Sequence, residues 1–333
     1  MQLHAAYGSQ QFSDRACFLC GDEANITNEH VFPKWLQEKF NLWDQRITLL
    51  NGSRIQYRNL TIPCCRRCNN EYLSELEGEI SRLVKLGYEA AVKTEGRVWY
   101  LWMAKLFYGL LRKELNLCFD QANPASGSIA TEELLKSQSN LHLFLQGVRG
   151  KHEFVDKPPY SILICNLHNY SDEESFSFRD NLFQLTASIR LGGFGAIASF
   201  EDGGLAHATY GRYVAEVNGR KLHPLQFDEL YAKVAYQASL IEGAPKFLTE
   251  TRIDGKDVAR TTTFFSTSVK PWNQGEFVKA LRSHLFAWFE NPEQSVEFVA
   301  PDLVSTWMVD SSGNLLLLEK EQWQQSLPPK TNA

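Results

Sequence analysis

The chain has 333 residues and a net charge of −5, with 44 % hydrophobic and 22 % charged residues. That balance gives one large domain or two with ample apolar content for a core, and it excludes a uniformly basic nucleic-acid coat; any nucleic-acid contact needs a local patch. The opening MQLHAAYGSQQFSDRA lacks a charged region followed by an apolar run, so no signal peptide is expected, and the most apolar stretch, Val98–Leu111, is too short to span a bilayer and carries Lys105.

In chain order, the first notable element is CFLC, where Cys17 and Cys20 form a CxxC pair. Glu29 and His30 follow in EHVFP, with Pro33 stiffening the turn behind them. The runs ITLL and RIQY flank Asn51-Gly52, a hairpin signal. Next comes CCRRCNN, with Cys65 and Cys68 as a second CxxC pair and Cys64 left over. Tyr72, Leu76, Ile80, Leu83 and Ala90 then recur at helical spacing, predicting a helix from about Asn69 to Lys93 with Glu71, Glu75 and Glu79 on its solvated face. Gly96 ends it, and an aromatic helix over Val98 to about Leu115 follows; its Trp99 and Trp102 read as core in preference to a platform for stacking bases. DQANPASGS, residues 120–128, is the expected linker. Beyond it YSILIC, LFQLTASIRL and GGFGAIASF read as strands, while PLQFDELYAKVAYQASLIEG and NQGEFVKALRSHLFAWFE read as helices. Gly192, Gly193 and Gly195 mark a bend, not a phosphate loop, because no Lys-Ser or Lys-Thr follows. The aromatics Phe176, Phe178, Phe183, Phe264, Phe265, Trp272, Phe286 and Trp288 are expected in a core, and His4, His142, His152, His168, His207, His223 and His284 have no ligand spacing.

Seven cysteines, four of them in CxxC pairs and Cys64, Cys118 and Cys165 scattered, suit a reducing cytoplasm and a metal site, not a disulfide framework. A two-residue gap lets both sulfurs of a pair face one point, and zinc takes four tetrahedral thiolates, so Cys17, Cys20, Cys65 and Cys68 are expected to hold a structural zinc. The pairs enclose 44 residues, which leaves room for a packed hairpin between them.

A four-thiolate zinc is closed to chemistry, so Glu29 and His30 need their own account. Neighbours on a strand face opposite ways. The carboxylate is suited to a hard cation and the imidazole to taking a proton from water, and the amide oxygen of Asn69 at the head of the following helix suits the oxygen-rich shell that magnesium prefers. Arg46, Arg54, Arg58, Arg66 and Arg67 lie between Asp44 and Glu71 with no acid among them, a basic run whose guanidinium forks suit phosphate.

CxxC, Glu-His-x-x-Pro, Asn59-Leu60 and Cys-x-x-Cys-Asn, in that order over roughly residues 15–80, resemble the HNH endonucleases, the ββα-metal nucleases, and within them the subgroup with Glu-His and CxxC zinc knuckles. The resemblance implies a hairpin-plus-helix fold in which Glu29 and Asn69 hold a catalytic Mg or Mn, His30 is the general base, and Asn59 braces the loop carrying His30. Asn70 and Glu77 are alternatives for completing the metal shell, Glu77 being eight residues, just over two turns, along the helix.

The expected architecture is α+β: a zinc-stapled ββα-metal, treble-clef-like module over residues 1–95, a connecting aromatic helix over 96–119, and a larger mixed α/β domain over 129–333 serving recognition, gating or assembly. The expected activity is metal-dependent hydrolysis of DNA phosphodiesters in the cytoplasm, with a context in bacterial defence or restriction implied by resemblance alone. RNA stays open as a second substrate and self-association stays open too; no membrane partner is expected. The alternative is a non-catalytic zinc-knuckle module that binds nucleic acid or protein.

Overall fold

Alternation before Cys68 and helical periodicity after it lay down the first elements. The computed structural model describes residues 15–114, 117–120, 123–128, 138–155, 157–169, 175–217, 220–242, 246–253, 257–264, 268–285, 288–289, 291, 293, 297–300, 303–308 and 316. Strand β1 (Ile26–His30) leads through Pro33 into helix α1 (Lys34–Lys39). β2 (Arg46–Thr48) and β3 (Arg54–Gln56) form the expected hairpin, with Gly52 at φ +75°, a region glycine enters without a Cβ penalty. β4 (Thr61–Cys65) runs antiparallel to β1, pairing Glu29 with Ile62 and His30 with Thr61. A π-helical turn over Cys68–Leu73 opens helix α2 (Ser74–Leu86), and α3 (Tyr88–Lys93) and α4 (Gly96–Glu114) follow. The single helix expected from Asn69 to Lys93 is broken at Gly87, whose φ of +85° is the left-handed conformation that terminates helices.

The expected linker is not one. β5 (Cys118–Asp120) pairs antiparallel with β6 (Asn123–Ser128), and Gln121 and Ala122 lie outside the described residues, as do His4, Phe265 and Phe286. α5 (Ser139–Leu145) and β7 (His152–Phe154) come next. The chain divides elsewhere, into one compact unit of Met1–Leu86, Lys93–Pro158 and Phe247–Phe264, and a second of Gly87–Val92, Pro159–Lys246 and Phe265–Ala333.

In the first unit α4 is the core, not a connector. Every residue from Trp99 to Arg112 is buried, because a helix that is apolar on all sides must be covered on all sides. Trp99 and Trp102 are 0 % exposed, as expected of core residues. β1 and β4 cover one flank of the helix, where a Cβ on Gly109 would come within 3.2 Å of Val31 Cγ1 and 3.3 Å of Ile62 Cδ1. Trp35 stacks on Trp102 at 6.2 Å, His142 meets Tyr108 at 5.1 Å and Phe154 meets Tyr100 at 6.3 Å between ring centroids. The strand Asp257–Phe264 joins β7 in parallel and so brings residues far along the chain into this unit.

The second unit holds a four-stranded antiparallel sheet in the order β8 (Ser161–Asn166), β11 (Phe194–Ser199), β10 (Thr186–Leu191), β9 (Phe176–Asn181). The helix Pro224–Ser239 lays Phe227, Leu230, Tyr231 and Val234 against Leu163, Cys165 and Ile197 of the sheet, and turns Leu225, Ala232 and Tyr236 to Phe277 and Leu281 of the helix Gln274–Leu285. Of the expected core aromatics, Phe176, Phe178 and Trp288 are half-buried, whereas Phe183 is 89 % exposed and Trp272 is 41 % exposed. Phe183 sits in the turn between β9 and β10, beyond the cover of the helix.

The glycines at the β10–β11 turn have separate tasks. Gly192 turns the chain at φ +73°, while Gly195 admits the Phe227 ring, whose Cζ would lie 2.6 Å from an added Cβ. Gly195→Ala is expected to cost about 1–3 kcal/mol, read as a fall of about 3–10 °C in thermal unfolding. Gly193→Ala, where a Cβ meets nothing within 4 Å, should melt near the parent; equal melting of the two variants would refute this packing.

Candidate metal centre and adjoining cleft

The four cysteines of the two CxxC pairs converge although the pairs lie far apart in sequence. Gly21 at φ +76° turns the chain out of the first pair, and the Phe18 amide donates to the Pro63 carbonyl at 2.9 Å, which ties that turn to β4. In the second pair the Cys68 amide donates to Cys65 Sγ at 3.5 Å. The sulfurs of Cys17, Cys20, Cys65 and Cys68 all lie within 4.8 Å of one another. Four ligands on zinc at about 2.3 Å stand about 3.8 Å apart, so the donor set fits a tetrahedral ion. The residue left over in sequence, Cys64, is buried with its sulfur 3.8 Å from that of Cys17, outside the four-residue set.

Charge also favours a cation there. Hydrogen bonds from Cys20, Cys64 and Cys68 hold Cys17 well below the usual thiol range, while the bond to Cys17 pushes Cys20 up to about 12 and pushes Cys64 and Cys68 up as well. Thiols crowded in this way would give up their protons to a bound divalent ion.

Beside the cluster, β1 carries the acid–imidazole pair. The pleat turns Glu29 inward, 6 % exposed, and leaves His30 half-buried at the opening. A cleft of about 670 Å³ is lined by Asn28, Glu29 and His30 of β1, Pro33–Trp35 at the start of α1, Asn69 and Asn70 of the π-turn, and Ser74, Glu77, Gly78 and Ser81 of α2. The π-turn widens the helix by one residue per turn there, and the Asn69 amide donates from Nδ2 to Thr27 Oγ1 at 3.0 Å, anchoring the turn to β1. Glu77, far from Asn69 along the helix, therefore reaches the same cleft as Glu29. Two carboxylates, three side-chain amides and two hydroxyls line this wall.

Sequence reasoning missed the central cation of this wall. Lys105 of α4 is wholly buried; its ammonium donates to Glu77 Oε1 at 2.9 Å, the His30 carbonyl at 2.7 Å and the Val31 carbonyl at 2.9 Å, and is ion-paired with Glu29 Oε1 at 2.7 Å. Burial alone would lower its pKa, but Glu29 and Glu77 overcome this and raise it to about 12. One ammonium balances one carboxylate. Burial, with Glu29 close by, pushes Glu77 up to about 7 against the pull of Lys105. The signal was present in the sequence: a lone lysine inside an apolar helix must find a buried counter-charge.

His30 is held below its ordinary value first by burial and then by Lys34, against the opposing pull of Glu29. Its ring is hydrogen-bonded to the backbone of Arg58. Asn59, expected to brace this loop, is elsewhere: it ends a 3₁₀ turn, is exposed, and its amide approaches Gln56 Oε1 at 3.4 Å. The loop is braced instead by the Arg58 backbone on the ring and by Lys105 on the carbonyls.

The basic run divides into two kinds of residue. Arg46 and Arg54 share one face of the β2–β3 hairpin and, like Arg66, are exposed. Arg58 is ion-paired with Asp44, and Arg67 with Glu71 at 3.4 Å while lying over the Tyr72 ring. The two acids that bound the run in sequence thus fold back onto it, in exposed pairs of small energetic weight. Among the remaining histidines His142 and His152 are buried, and His223 caps the helix Pro224–Ser239.

No helix among the described residues is long and apolar enough to cross a membrane. No protein-family model, no curated protein and no solved structure matches the chain.

Proposed function

We propose that this protein is a metal-dependent endonuclease of the HNH, ββα-metal kind that hydrolyses DNA phosphodiester bonds. One observation carries the reading: Glu29, His30 and Asn69, selected from sequence, line a single cleft beside the four-cysteine cluster. The antiparallel pairing of β1 with β4, followed by the π-turn and α2, supports this reading. Cys17, Cys20, Cys65 and Cys68 hold a structural zinc that fastens the first turn to β4 and α2.

In the cleft Glu29 and Asn69 would hold Mg or Mn, with Glu77 within reach as a further ligand. When bound, such an ion stabilises the negative charge that builds on the scissile phosphate and leaving oxygen. His30 does the proton work. Its lowered pKa keeps the imidazole neutral near pH 7, the form that accepts a proton. Arg46, Arg54 and Arg66 on the exposed hairpin and knuckle meet the flanking phosphates. Seven free thiols fit a reducing, cytoplasmic setting.

The direct test is nicking of supercoiled plasmid with Mg or Mn, with chelator, and after the metal is restored. Nicking that chelator stops and added Mg or Mn returns is expected. Retarded DNA migration without nicking in either metal would favour the alternative, a non-catalytic nucleic-acid-binding module. A parallel RNA substrate decides the breadth of the activity.

A further inference from the structure

Lys105 makes too many contacts with the working residues to be only a buried counter-ion. It reaches across from α4 to a motif 75 residues earlier and meets it at four oxygens. Two are the carbonyls of His30 and Val31, the peptide units that fix how the imidazole leaves the strand. The other two are carboxylate oxygens of Glu29 and Glu77, which line the cleft from opposite elements. The ammonium itself is 0 % exposed, so it does not meet substrate. Gly109, one turn further along α4, lets the helix approach Val31 and Ile62 closely enough for the lysine to reach. Loss of its charge would leave two carboxylates facing one cleft with no cation between them.

We infer that Lys105 is the positioning residue of this site: it aims His30 through the strand carbonyls, and by occupying one oxygen of each carboxylate it restrains the cleft's affinity for divalent cations. The inference rests on the nuclease reading for its effect on rate, but its effect on cation binding stands apart from catalysis. It has two consequences of opposite sign. Removing the ammonium strengthens cation binding, because two carboxylates then act without a competing positive charge. The same change slows cleavage, because the His30 carbonyl loses its donor and the ring loses its aim. A lysine serving only stability would produce neither the tighter cation binding nor the split between binding and rate.

The test uses the full-length chain and free Mn. Mn binding is followed by electron paramagnetic resonance without DNA, the orientation and tautomer of His30 by ¹⁵N NMR, and nicking in parallel. Lys105→Met should bind Mn about tenfold more tightly, about 1.4 kcal/mol, while nicking falls by about tenfold or more. Lys105→Met leaves buried acids uncompensated and so weakens folding, and the charge-matched Lys105→Met/Glu77→Gln is therefore measured beside it. That variant should return Mn affinity to the parent's level or below, keep the slow nicking, and show a changed His30 ¹⁵N signature. Unchanged Mn affinity in Lys105→Met together with an unchanged His30 signature in the double variant would overturn the proposal. Parent protein that binds Mn but never nicks DNA would instead overturn the nuclease reading, leaving the binding comparison intact.

Discussion

His30→Ala lowers plasmid nicking by about 10²–10⁴-fold, the usual loss when a general base is removed, or about 3–5 kcal/mol of barrier. Zinc content and thermal unfolding should stay close to the parent's, because the ring is half-buried at the cleft mouth and does not hold the core together. The contact it loses is the long 6.2 Å approach to Trp43, together with its bond to the Arg58 backbone. The pH profile of the unchanged protein carries a second mark of the same base. A base works in its neutral form, and burial followed by Lys34 lowers the pKa of His30, so the neutral form persists to lower pH than for a free imidazole. The acid limb of the nicking profile should therefore have its midpoint below about 6.5. Full activity in His30→Ala would dispose of the mechanism, and an acid limb well above that value would assign it to another group.

Cys68→Ser should empty the four-cysteine site and lower thermal unfolding by about 10–20 °C, since a structural zinc contributes many kcal/mol and each is worth about 2–4 °C in a domain of this size. The damage should be centred on the two knuckles, not spread through the unit, because α4 retains its own cover from Trp35, His142 and Phe154. Nicking should also be lost: the Cys65–Cys68 turn opens directly into the π-turn that carries Asn69. Elemental analysis of protein purified without chelator should find about one zinc per chain in the parent and none in the variant. Parent protein free of zinc would remove the premise. Uptake must displace the thiol protons, so zinc affinity should weaken as the pH is lowered.

The parts of this protein that short-range chemistry governs were legible before the structure. A CxxC pair brings two sulfurs to one point whatever surrounds it, and Asn51-Gly52 between apolar runs makes a hairpin because glycine accepts φ +75° there. Glu29 and His30 part company because a pleat alternates its side chains, and the structure buries one and leaves the other at the opening. Asn69 comes to the cleft because the second knuckle opens into the helix that carries it.

What the sequence could not settle was decided by distance along the chain and by small changes of helical phase. Ideal helical spacing counts Glu77 as remote from Asn69, but one π-turn changes the phase and sets both on one cleft. Asn59 was matched by its place in a motif, whereas a 3₁₀ turn carries its side chain to solvent. The apolar character of α4 required burial on every side, yet composition cannot say by what. The return of 139–154 supplies part of that cover, and the strand Asp257–Phe264 pairs with β7, so the chain divides at Pro158 and not in the Pro-Gly-Ser stretch. Lys105 shows the limit most clearly. That a buried lysine needs an anion follows from the cost of an unpaired charge in an apolar interior. That its anions are Glu29 and Glu77, and that it also holds the carbonyls of His30 and Val31, depends on a helix packing across a strand 75 residues away, which only the tertiary structure decides.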